Sequence, residues 1–448
     1  MLNAIKHRGL FRRVEFVERQ AGGVIAVGCV SHDKPAQNIA RTPTAVAAVH
    51  GSLYEERTRS NAEYVLRRVK RLSAYRAVRE VTCKIGGFGG LVGCGDRLYG
   101  FRDVNGLKPL YYAHSPHLAV FASERKAVWS LGMRNPQPVP PGSALNLSRK
   151  GMRTTRMVQF SRPREKKITF HQASSGVHRL LSRSIRRVTR RVGKTCVAFS
   201  GGLDSALTAA MAKRAGVDID AISIGLAGSS EVSTAEQFAK RLGLNLTLEV
   251  FPVDSVEEYV RRVLWLIEEP NLMKLSVAIP LHWAANVAAR CGYKVMLCGQ
   301  GSDELYGGYN KYANTLKLRG RRALSDQLYA SVIESSTVNY ERDDQATSPY
   351  PVELRTPFAD PDLIKFSLSI PSEFKVKDGN DAIRKWVLRD VARKVGLPEE
   401  IVWRRKKAIQ HGSGVEKAIL KLAKSHGLKP DDYLKRTFEE VRMMDSIP

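Results

Sequence analysis

No stretch of the 448-residue sequence is apolar over the roughly 18 residues that a membrane-spanning helix needs. The segment from Met1 to Arg8 also lacks the long apolar core of a secretory signal peptide. The six cysteines form no Cys-x-x-Cys pair, and Cys196 and Cys298 lie in apolar, strand-like runs. These absences argue against a membrane partner, a zinc site and a disulfide framework. They predict buried free thiols in a reducing, cytoplasmic environment.

Acidic residues are scarce: 44 Asp and Glu against 72 Lys and Arg give a formal net charge of +28. From Arg149 to Lys194, Glu165 is the only acid. Such a basic field attracts nucleic acid and other polyanions. The same stretch offers few aromatic side chains on which bases could stack, so a solvated, arginine-rich surface is favoured over nucleic-acid binding.

The two halves of the sequence have different patterns. Up to about residue 160, short β-runs alternate with Gly and Pro turns, and one clear helix spans Asn61 to Leu72. This pattern predicts a sheet-rich α+β domain over 1–160, followed by a basic linker over 161–176. Over 177–448 helices and strands first alternate, which predicts a doubly wound α/β domain with a parallel sheet.

The most informative motif is Ser200-Gly201-Gly202-Leu203-Asp204-Ser205, between a predicted strand over 195–199 and a predicted helix over 204–215. Paired glycines let the backbone turn tightly against a phosphate, and the unpaired amides and dipole of the following helix favour an anion. The motif has no Gly-Lys-Ser/Thr ending, so it is not a Walker loop. It resembles the pyrophosphate loop of the N-type ATP pyrophosphatases, which cleave ATP between the α and β phosphates.

A second glycine-rich loop, 299–309, follows the predicted strand over 294–298. Ligands of doubly wound sheets bind beyond the carboxyl ends of the strands, where both loops fall. Asp303 and Glu304 therefore lie at the same sheet edge as Asp204. Carboxylates in this position suit a magnesium ion that bridges to substrate phosphates. The structural alternative for Asp303 and Glu304 is capping of a helix N-terminus.

The order of motifs from about 175 to 415 resembles the synthetase domain of the asparagine synthetases. Besides the two loops, the resemblance rests on Glu353 to Asp360, Arg384 to Arg389 and Arg404 to Ala408. It implies an adenine nucleotide alpha hydrolase-like fold. It also implies a carbon–nitrogen ligase that activates a carboxylate as an acyl-adenylate with ATP, and then amidates it with ammonia.

The resemblance assigns roles to residues at matching positions. The positions that match the family's ATP and pyrophosphate contacts are Phe199, Ser200, Gly201, Gly202, Asp204, Ser205, Ile224, Cys298 and Gly299. Asp204 and Asp303 match its magnesium ligands. Lys385 matches a catalytic lysine that stabilises charge on the α-phosphate and the leaving pyrophosphate, the electrostatic help that such a step needs. We therefore expect ATP as a substrate and Mg²⁺ as a cofactor.

The first half resembles the family's glutaminase domain more weakly, through Arg102 to Tyr112 and Phe121 to Ala127. This resemblance implies an αββα sandwich of the N-terminal-nucleophile (Ntn) type. The chain departs from it at the glutamine pocket, where His50-Gly51-Ser52 replaces Asn-Gly-Glu, and at position 2, which is leucine where the family has its cysteine nucleophile. Without the oxyanion-stabilising amide and the amine-holding carboxylate, we expect an incomplete, degenerate glutaminase domain.

The acceptor side departs from the family as well. Gln300 stands at the catalytic position where the family carries a Glu between two glycines, and an amide cannot take a proton. The segment around Met273 lacks the threonine pair that helps recognise aspartate, and Ser276 replaces an arginine. Aspartate stays the leading candidate for the acid that is activated. These departures weaken that assignment more than they weaken the assignment of an adenylation reaction.

Three hypotheses follow from the sequence. The leading one is an ATP-dependent amide-forming ligase that uses aspartate or a related acid, with ammonia or glutamine as the nitrogen source. The second is an ATP pyrophosphatase that adenylates and modifies tRNA, which the charge of +28 would suit. The third, a non-catalytic interaction protein, is disfavoured by the intact Asp204, Asp303 and Lys385. The sequence is also compatible with a homodimer.

Overall fold

The computed structural model describes residues 1–18, 24–32, 38–56, 58, 60–148, 151–406, 409–442 and 444. None of the helices in this part of the chain is long and apolar enough to cross a membrane. All six cysteines are free thiols. Cys196 and Cys298 are buried, as the sequence predicts, whereas Cys83 and Cys291 are exposed.

The first half is rich in strands. Its strands are β1 (Phe11–Glu18), β2 (Val24–Ser31), β3 (Ile39–Arg41), β4 (Ala45–Leu53), β5 (Gly86–Cys94), β6 (Arg97–Arg102), β7 (Tyr111–His114), β8 (Ala119–Ala122), β9 (Gln137–Pro138), β10 (Ser143–Ser148) and β11 (Gly151–Arg156). Its helices are a 3₁₀ helix (Asn3–Arg8), α1 (Asn61–Arg71), α2 (Ala74–Thr82) and α3 (Arg125–Trp129).

These elements stack in four layers. An antiparallel sheet in the order β11-β10-β6-β5-β4-β3 packs one face against α1 and α2, through a core that contains Val65 and Val78. Its other face packs against β2 and β8, where Phe121 is buried. Val120, which precedes Phe121, lies on the opposite side of β8 and packs against α3 and the 3₁₀ helix. The predicted Ntn-like sandwich is thus confirmed, with an outer helical layer made of two short elements.

The second half alternates strands and helices. Its strands are β12 (Thr195–Ala198), β13 (Ile219–Leu226), β14 (Leu246–Phe251), β15 (Val295–Leu297) and β16 (Glu353–Arg355). Its α-helices are α4 (Phe170–Val188), α5 (Leu203–Arg214), α6 (Ser230–Arg241), α7 (Val256–Ile267), α8 (Leu272–Arg290), α9 (Ser302–Tyr306), α10 (Asn310–Ser335), α11 (Glu341–Thr347), α12 (Pro361–Ser369), α13 (Trp386–Lys394), α14 (Glu399–Val402), α15 (Ile409–Gly412), α16 (Val415–Ser425) and α17 (Pro430–Arg442). Short 3₁₀ helices span Val253–Ser255, Pro357–Ala359 and Ser372–Phe374, and a π-helical turn spans Ser336–Tyr340.

The five strands of the second half form a parallel sheet in the order β14-β13-β12-β15-β16. The chain runs outward from β12 to β14 and then crosses back to build β15 and β16 on the other side of β12. Because the strand order reverses between β12 and β15, a crevice opens beyond the carboxyl ends of these two strands. The predicted doubly wound sheet is confirmed, and the loops 199–205 and 299–309 both begin at this crevice.

The parallel sheet is buried on both faces. Val197 and Leu297 belong to one core, which includes α4, α5 and α13. The adjacent residues Cys196 and Met296 point to the other core, which includes α7, α8 and α17. Burial on both faces explains why these strands appear in the sequence as continuous apolar runs rather than as alternating patterns.

Two helices differ from the sequence expectation. Helix α4 begins at Phe170, inside the segment 161–176 that we expected to be a linker. Thr169 and Gln172 form a capping box, in which each side chain accepts a hydrogen bond from the other residue's backbone amide, at 3.2 and 2.8 Å. Helix α2 directly follows α1, where the pattern predicted one helix. Its N-cap is Ser73, whose hydroxyl accepts from the amide of Arg76.

Buried charged side chains join the two halves. The carboxylate of Asp344, on α11, accepts hydrogen bonds from Lys108 at 2.7 Å and from Arg8 at 3.2 Å. Burial would raise the pKa of Asp344, but Lys108 and the other cations outweigh it, so the pKa lies well below its usual range. Glu268, at the end of α7, accepts from the backbone amide of Lys126 at 2.7 Å. Buried ions of this kind are tolerated only with their partners in place.

We predict that Asp344→Asn lowers the free energy of unfolding by about 3–5 kcal/mol, because Lys108 would stay buried without its counter-charge and Arg8 would keep only Glu124 as a carboxylate partner. Urea unfolding at pH 7 measures the loss. Since the pKa of Asp344 is lowered by folding, the wild-type advantage should be complete above the usual pKa of aspartate. It should decline as the pH falls below that value and be lost as the pH falls through the lowered pKa of the folded state.

The matched control is Asp362→Asn. Asp362 is exposed and pairs with Arg183 at 2.7 Å and with Arg187 at 2.9 Å, and surface pairs of this kind should together cost about 1 kcal/mol or less. Equal, small changes in the two variants would contradict the role of Asp344.

Candidate active site

The first loop joins the end of β12 to the start of α5. Gly202 is the N-cap of α5, and Gly201 adopts a φ of 65°, a conformation that glycine adopts without strain. The Ser200 hydroxyl accepts from the Gly202 amide, and the Ser205 hydroxyl accepts from the Ser200 amide, both at 3.3 Å. These bonds fix a turn at the positive end of the α5 dipole, a geometry that binds anions.

The two loops come together because two glycines have no side chains. A Cβ atom on Gly299 would lie 2.7 Å from the Cβ of Asp204. A Cβ atom on Gly308 would collide with Oδ1 of Asp303 and with Cε of Lys385. The close approach of the charged groups therefore depends on glycine at both positions.

Lys385 reaches the loops from a strained turn. It is the N-cap of α13 with a φ of 57°, and Arg384 before it has a φ of 53°. Asp381 holds this turn by accepting from the Arg384 amide and from Nε1 of Trp386, both at 2.8 Å. Arg389 donates from Nε to the carbonyl of Arg384 at 2.6 Å. Non-glycine residues with such angles persist only where neighbours enforce them, and they concentrate at functional sites.

Two lysines bind the two carboxylates of the loops. Nζ of Lys385 donates to both carboxylate oxygens of Asp204 at 2.7 Å and lies 2.6 Å from Oδ1 of Asp303. Nζ of Lys406 lies 2.7 Å from Oδ2 of Asp303 and 3.7 Å from Oδ2 of Asp204. We refer to these four side chains as the ion cluster. It unites side chains from three segments that are far apart in the sequence, around residue 204, around residue 303 and over 385–406.

Burial and neighbouring charges set the ionisation of these groups. Burial would raise the pKa of Asp303, but Lys385 and Lys406 outweigh it, and the pKa lies well below its usual range. Burial likewise would lower the pKa of Lys406, yet Asp303 and Asp204 raise it. Glu304 behaves differently, because burial and the adjacent Asp303 both raise its pKa.

A cavity of about 490 Å³ lies against the ion cluster, a volume that accommodates a small-molecule ligand. The predicted site residues that line it are Phe199, Ser200, Asp204, Ser205, Ile224, Cys298, Gly299, Gln300 and Asp303. Gly201 and Gly202 build the adjoining turn. Lys385 is 2% exposed and contacts the carboxylates that line the cavity. The structure thus brings together every site residue that the sequence predicted.

Further residues complete the site without having been singled out in the sequence. Lys406 joins the ion cluster, and Arg404 donates to the carbonyl of Gly201 at 3.1 Å. Both belong to the basic motif 404–408, but a run of cations does not show which one reaches a carboxylate. Lys407 and Ala408 of that motif lie outside the described residues.

The donor set at Asp204 and Asp303 fits a magnesium ion. Both carboxylates reach the same ammonium group, so they are close enough to share one cation. Magnesium takes oxygen ligands and is usually held by one or two carboxylates together with substrate phosphates. Within the described residues no cluster of three or more His, Cys, Asp or Glu ligands forms. Phosphate oxygens and water would therefore supply the remaining ligands.

Together, the fold and the site define a nucleotide-binding α/β domain joined to an Ntn-like domain. The sequence profile of the asparagine synthase family matches residues 176–341 and 316–437. The chain belongs to this family of ATP-dependent carbon–nitrogen ligases.

Two relatives show the extent of the similarity. A protein assigned as a glutamine-hydrolysing asparagine synthetase in Methanocaldococcus jannaschii is 33% identical over 371 residues, which cover 73% of this chain and 68% of the relative. A counterpart in Schizosaccharomyces pombe is 27% identical over 356 residues, which cover 71% of this chain and 61% of the relative. The chain therefore spans between three fifths and seven tenths of these two relatives.

Among solved structures, an NMN synthetase from Francisella tularensis is 11% identical, with a TM-score of 0.31. The similarity covers 62% of this chain and 92% of that one. At this TM-score the similarity does not define the fold. The strand order of the parallel sheet defines it.

We predict that Gly308→Ala weakens the binding of magnesium-ATP by about 10- to 100-fold, because the added methyl group displaces Asp303 and Lys385. Isothermal titration measures the affinity, and thermal unfolding verifies the fold. The matched control is Gly193→Ala, where no atom lies within 4 Å of the added Cβ. An unchanged affinity in Gly308→Ala would show that the close approach of Asp303 and Lys385 to the backbone at this position is not needed for binding.

Proposed function

We propose that the protein is an ATP-dependent amide-forming ligase of the asparagine synthetase type. It activates a carboxylate, with aspartate as the leading acid, as an acyl-adenylate, releases pyrophosphate, and then amidates the acyl group with ammonia. The observation that supports this proposal most strongly is the ion cluster beside the 199–205 loop at the strand switch point. The anion-binding loop can hold the phosphates, the carboxylates can hold a metal ion, and the lysines can stabilise the charge that develops when the bond between the α and β phosphates breaks.

In the activation step, the carboxylate of the acid attacks the α-phosphate and pyrophosphate leaves. Negative charge builds up on the departing oxygens. The loop 199–205 and the first turn of α5 are placed to bind the phosphates, and Lys385 and Lys406 are placed to stabilise the developing charge. A magnesium ion held by Asp204 and Asp303 would neutralise further charge on the phosphates.

The walls of the cavity suit an acid with a second carboxylate. Met273 and Val277 on α8 present an apolar surface to the cavity, in a region that lacks the family's threonine pair. Arg342 on α11 lines the same cavity and is 2% exposed. Its Nε and Nη2 donate to Asp343 at 2.8 and 2.6 Å, which holds the planar guanidinium in place. We propose that the remaining nitrogen, Nη1, donates to the second carboxylate of aspartate.

We propose free ammonia as the nitrogen source. The residues that replace the family's glutamine-pocket motif contact both halves of the chain. Ser52 donates to Glu353 of the second half at 2.8 Å. His50 lies 3.6 Å from Oδ1 of Asp344 in the second half and 3.3 Å from Nη1 of Arg8 in the first half. These contacts supply neither the amide nor the carboxylate that a glutamine pocket needs.

We do not favour a tRNA acceptor. The segments 353–360 and 384–389, which resemble the asparagine synthetases, both contact residues of this site. Thr356 lies 3.2 Å from Sγ of the cavity residue Cys298, and Lys385 belongs to the ion cluster. Part of the basic stretch also has a structural role, since Arg187 pairs with Asp360 at 2.7 Å and with Asp362 at 2.9 Å. A cytoplasmic location and a homodimer stay predictions.

We predict that Asp303→Ala abolishes aspartate-dependent exchange between ATP and pyrophosphate. The substitution removes a proposed magnesium ligand and also removes the carboxylate that positions Lys385 and Lys406. Lys385→Ala should slow the exchange by about 100- to 1,000-fold, as for the loss of one transition-state donor. Incorporation of labelled pyrophosphate into ATP measures both effects.

The control for these variants is Lys424→Ala, an exposed lysine on α16 that should leave the exchange unchanged. Circular dichroism must show that all three variants keep the fold. Full exchange activity in Asp303→Ala or Lys385→Ala would refute the role assigned to that residue.

We also predict that ammonium chloride supports amide formation and that glutamine does not, because His50-Gly51-Ser52 replaces the amide and the carboxylate of the family's glutamine pocket. Chromatography of the amide product, together with an assay for released glutamate, tests this. Glutamate release in step with amide formation would show that the glutaminase domain works.

A further inference from the structure

One side of helix α4 carries a row of arginines that the proposed ligase activity does not use. Arg179, Arg183 and Arg186 follow one another at intervals of four and three residues, so they lie on the same side of the helix, and Arg190 follows just past its end. The helix itself contains no Asp or Glu. Within the described residues, no part of α4 lines the cavity of the candidate active site. We refer to these four side chains as the arginine face.

Most of the charge on the arginine face has no carboxylate partner. Arg179, Arg186 and Arg190 are exposed, and none of them forms an ion pair within the described part of the chain. Arg183 is the exception, because it pairs with Asp362 at 2.7 Å. Three guanidinium groups on one surface are therefore available to an anion outside the protein.

Further cations lie beside the arginine face. The pKa of His178, the neighbour of Arg179, is lowered by burial and also by the positive charges of Arg214 and Lys394. Lys394 acts in this way although it pairs with Asp390 at 2.8 Å. Together with the formal net charge of +28, these groups make a surface that attracts polyanions.

The packing of α4 restricts the shape of the polyanion. On the side opposite the arginines, Val177, Leu181 and Ile185 are buried in the core that includes α5 and α13. Because only one side of the helix is exposed, α4 cannot enter the deep major groove of a DNA duplex, which admits a whole helix. The minor groove of an A-form RNA duplex is wide and shallow, and proteins contact it mainly through phosphates and 2′-hydroxyl groups. A one-sided row of arginines matches this second geometry.

Single-stranded nucleic acid matches the arginine face less well. Proteins that bind single strands without sequence preference stack the bases on aromatic side chains. The sequence of α4 from Gln172 to Arg186 contains no Phe, Tyr or Trp. The scarcity of aromatic residues in the basic stretch therefore argues against single strands, and it does not bear on duplexes, whose bases are already stacked.

We propose that the arginine face is a binding site for double-stranded RNA. Arg179, Arg186 and Arg190 donate hydrogen bonds to phosphate oxygens on the two sides of the minor groove. Arg179 and Arg186 are separated by about 10 Å along the helix axis, so they contact different phosphates. The contacts are independent of base sequence and require neither ATP nor a carboxylate substrate. The proposal therefore goes beyond the ligase activity and does not depend on it.

The test measures the binding of the full chain to a fluorescent RNA duplex of about 20 base pairs, which exceeds the roughly 16 that a minor-groove-binding domain spans. Fluorescence anisotropy gives the affinity between about 50 and 200 mM salt. In the triple variant Arg179→Gln, Arg186→Gln and Arg190→Gln, the affinity at low salt should fall by about tenfold or more. The slope of log affinity against log salt should become shallower by about three, one for each lost phosphate contact. Lysine at the same three positions should restore most of the affinity, because phosphate contacts require charge.

The matched control is the triple variant Lys417→Gln, Lys421→Gln and Lys424→Gln, which removes the same number of positive charges from the exposed side of α16. It should bind the duplex almost as tightly as the wild type, and circular dichroism must show that all variants keep the fold. Equal losses in the two glutamine triples would overturn the proposal, since overall charge would then explain the binding. The proposal would also fail if the wild type bound a DNA duplex or single-stranded RNA of the same length as tightly as the RNA duplex, or did not bind the RNA duplex at all.

Discussion

The attraction between two lysines and two aspartates at the strand switch point is the interaction on which the second half of the molecule depends. Asp204 and Asp303 follow two neighbouring strands, and their negative charges would repel each other strongly in a buried crevice. Lys385 and Lys406 offset that repulsion. The same positive charges then become available to phosphate oxygens, which explains how a site built to bind a triphosphate can be stable without one.

Several features of the fold serve this cluster. The reversal of strand order opens the crevice, and Gly299 and Gly308 let the backbones approach closely. The strained turn at Arg384 places Lys385, and its cost is met by hydrogen bonds from buried neighbours. Helix α11 links the cluster's cavity to the first half of the chain, because Arg342 lines the cavity while Asp344 pairs across the domain boundary.

Sequence patterns predicted much of this arrangement. Loops 199–205 and 299–309 each follow an apolar strand and precede a helix, so their place at one sheet edge followed from the rules of parallel sheets. The start of α4 was missed because its capping box, Thr169 and Gln172, lies in a polar stretch with the composition of a linker. Lys406 was beyond sequence reasoning for a different reason. Its role depends on which side chains surround it, and local patterns carry no such information.

The central claim is that this site cleaves ATP between the α and β phosphates in order to activate a carboxylate. Phosphorus NMR of the wild-type protein incubated with magnesium-ATP, aspartate and ammonium chloride tests it most directly. We predict that AMP and pyrophosphate appear together, in amounts equal to the amide formed. Formation of ADP and inorganic phosphate, or of AMP and pyrophosphate irrespective of whether an acid is present, would contradict the claim.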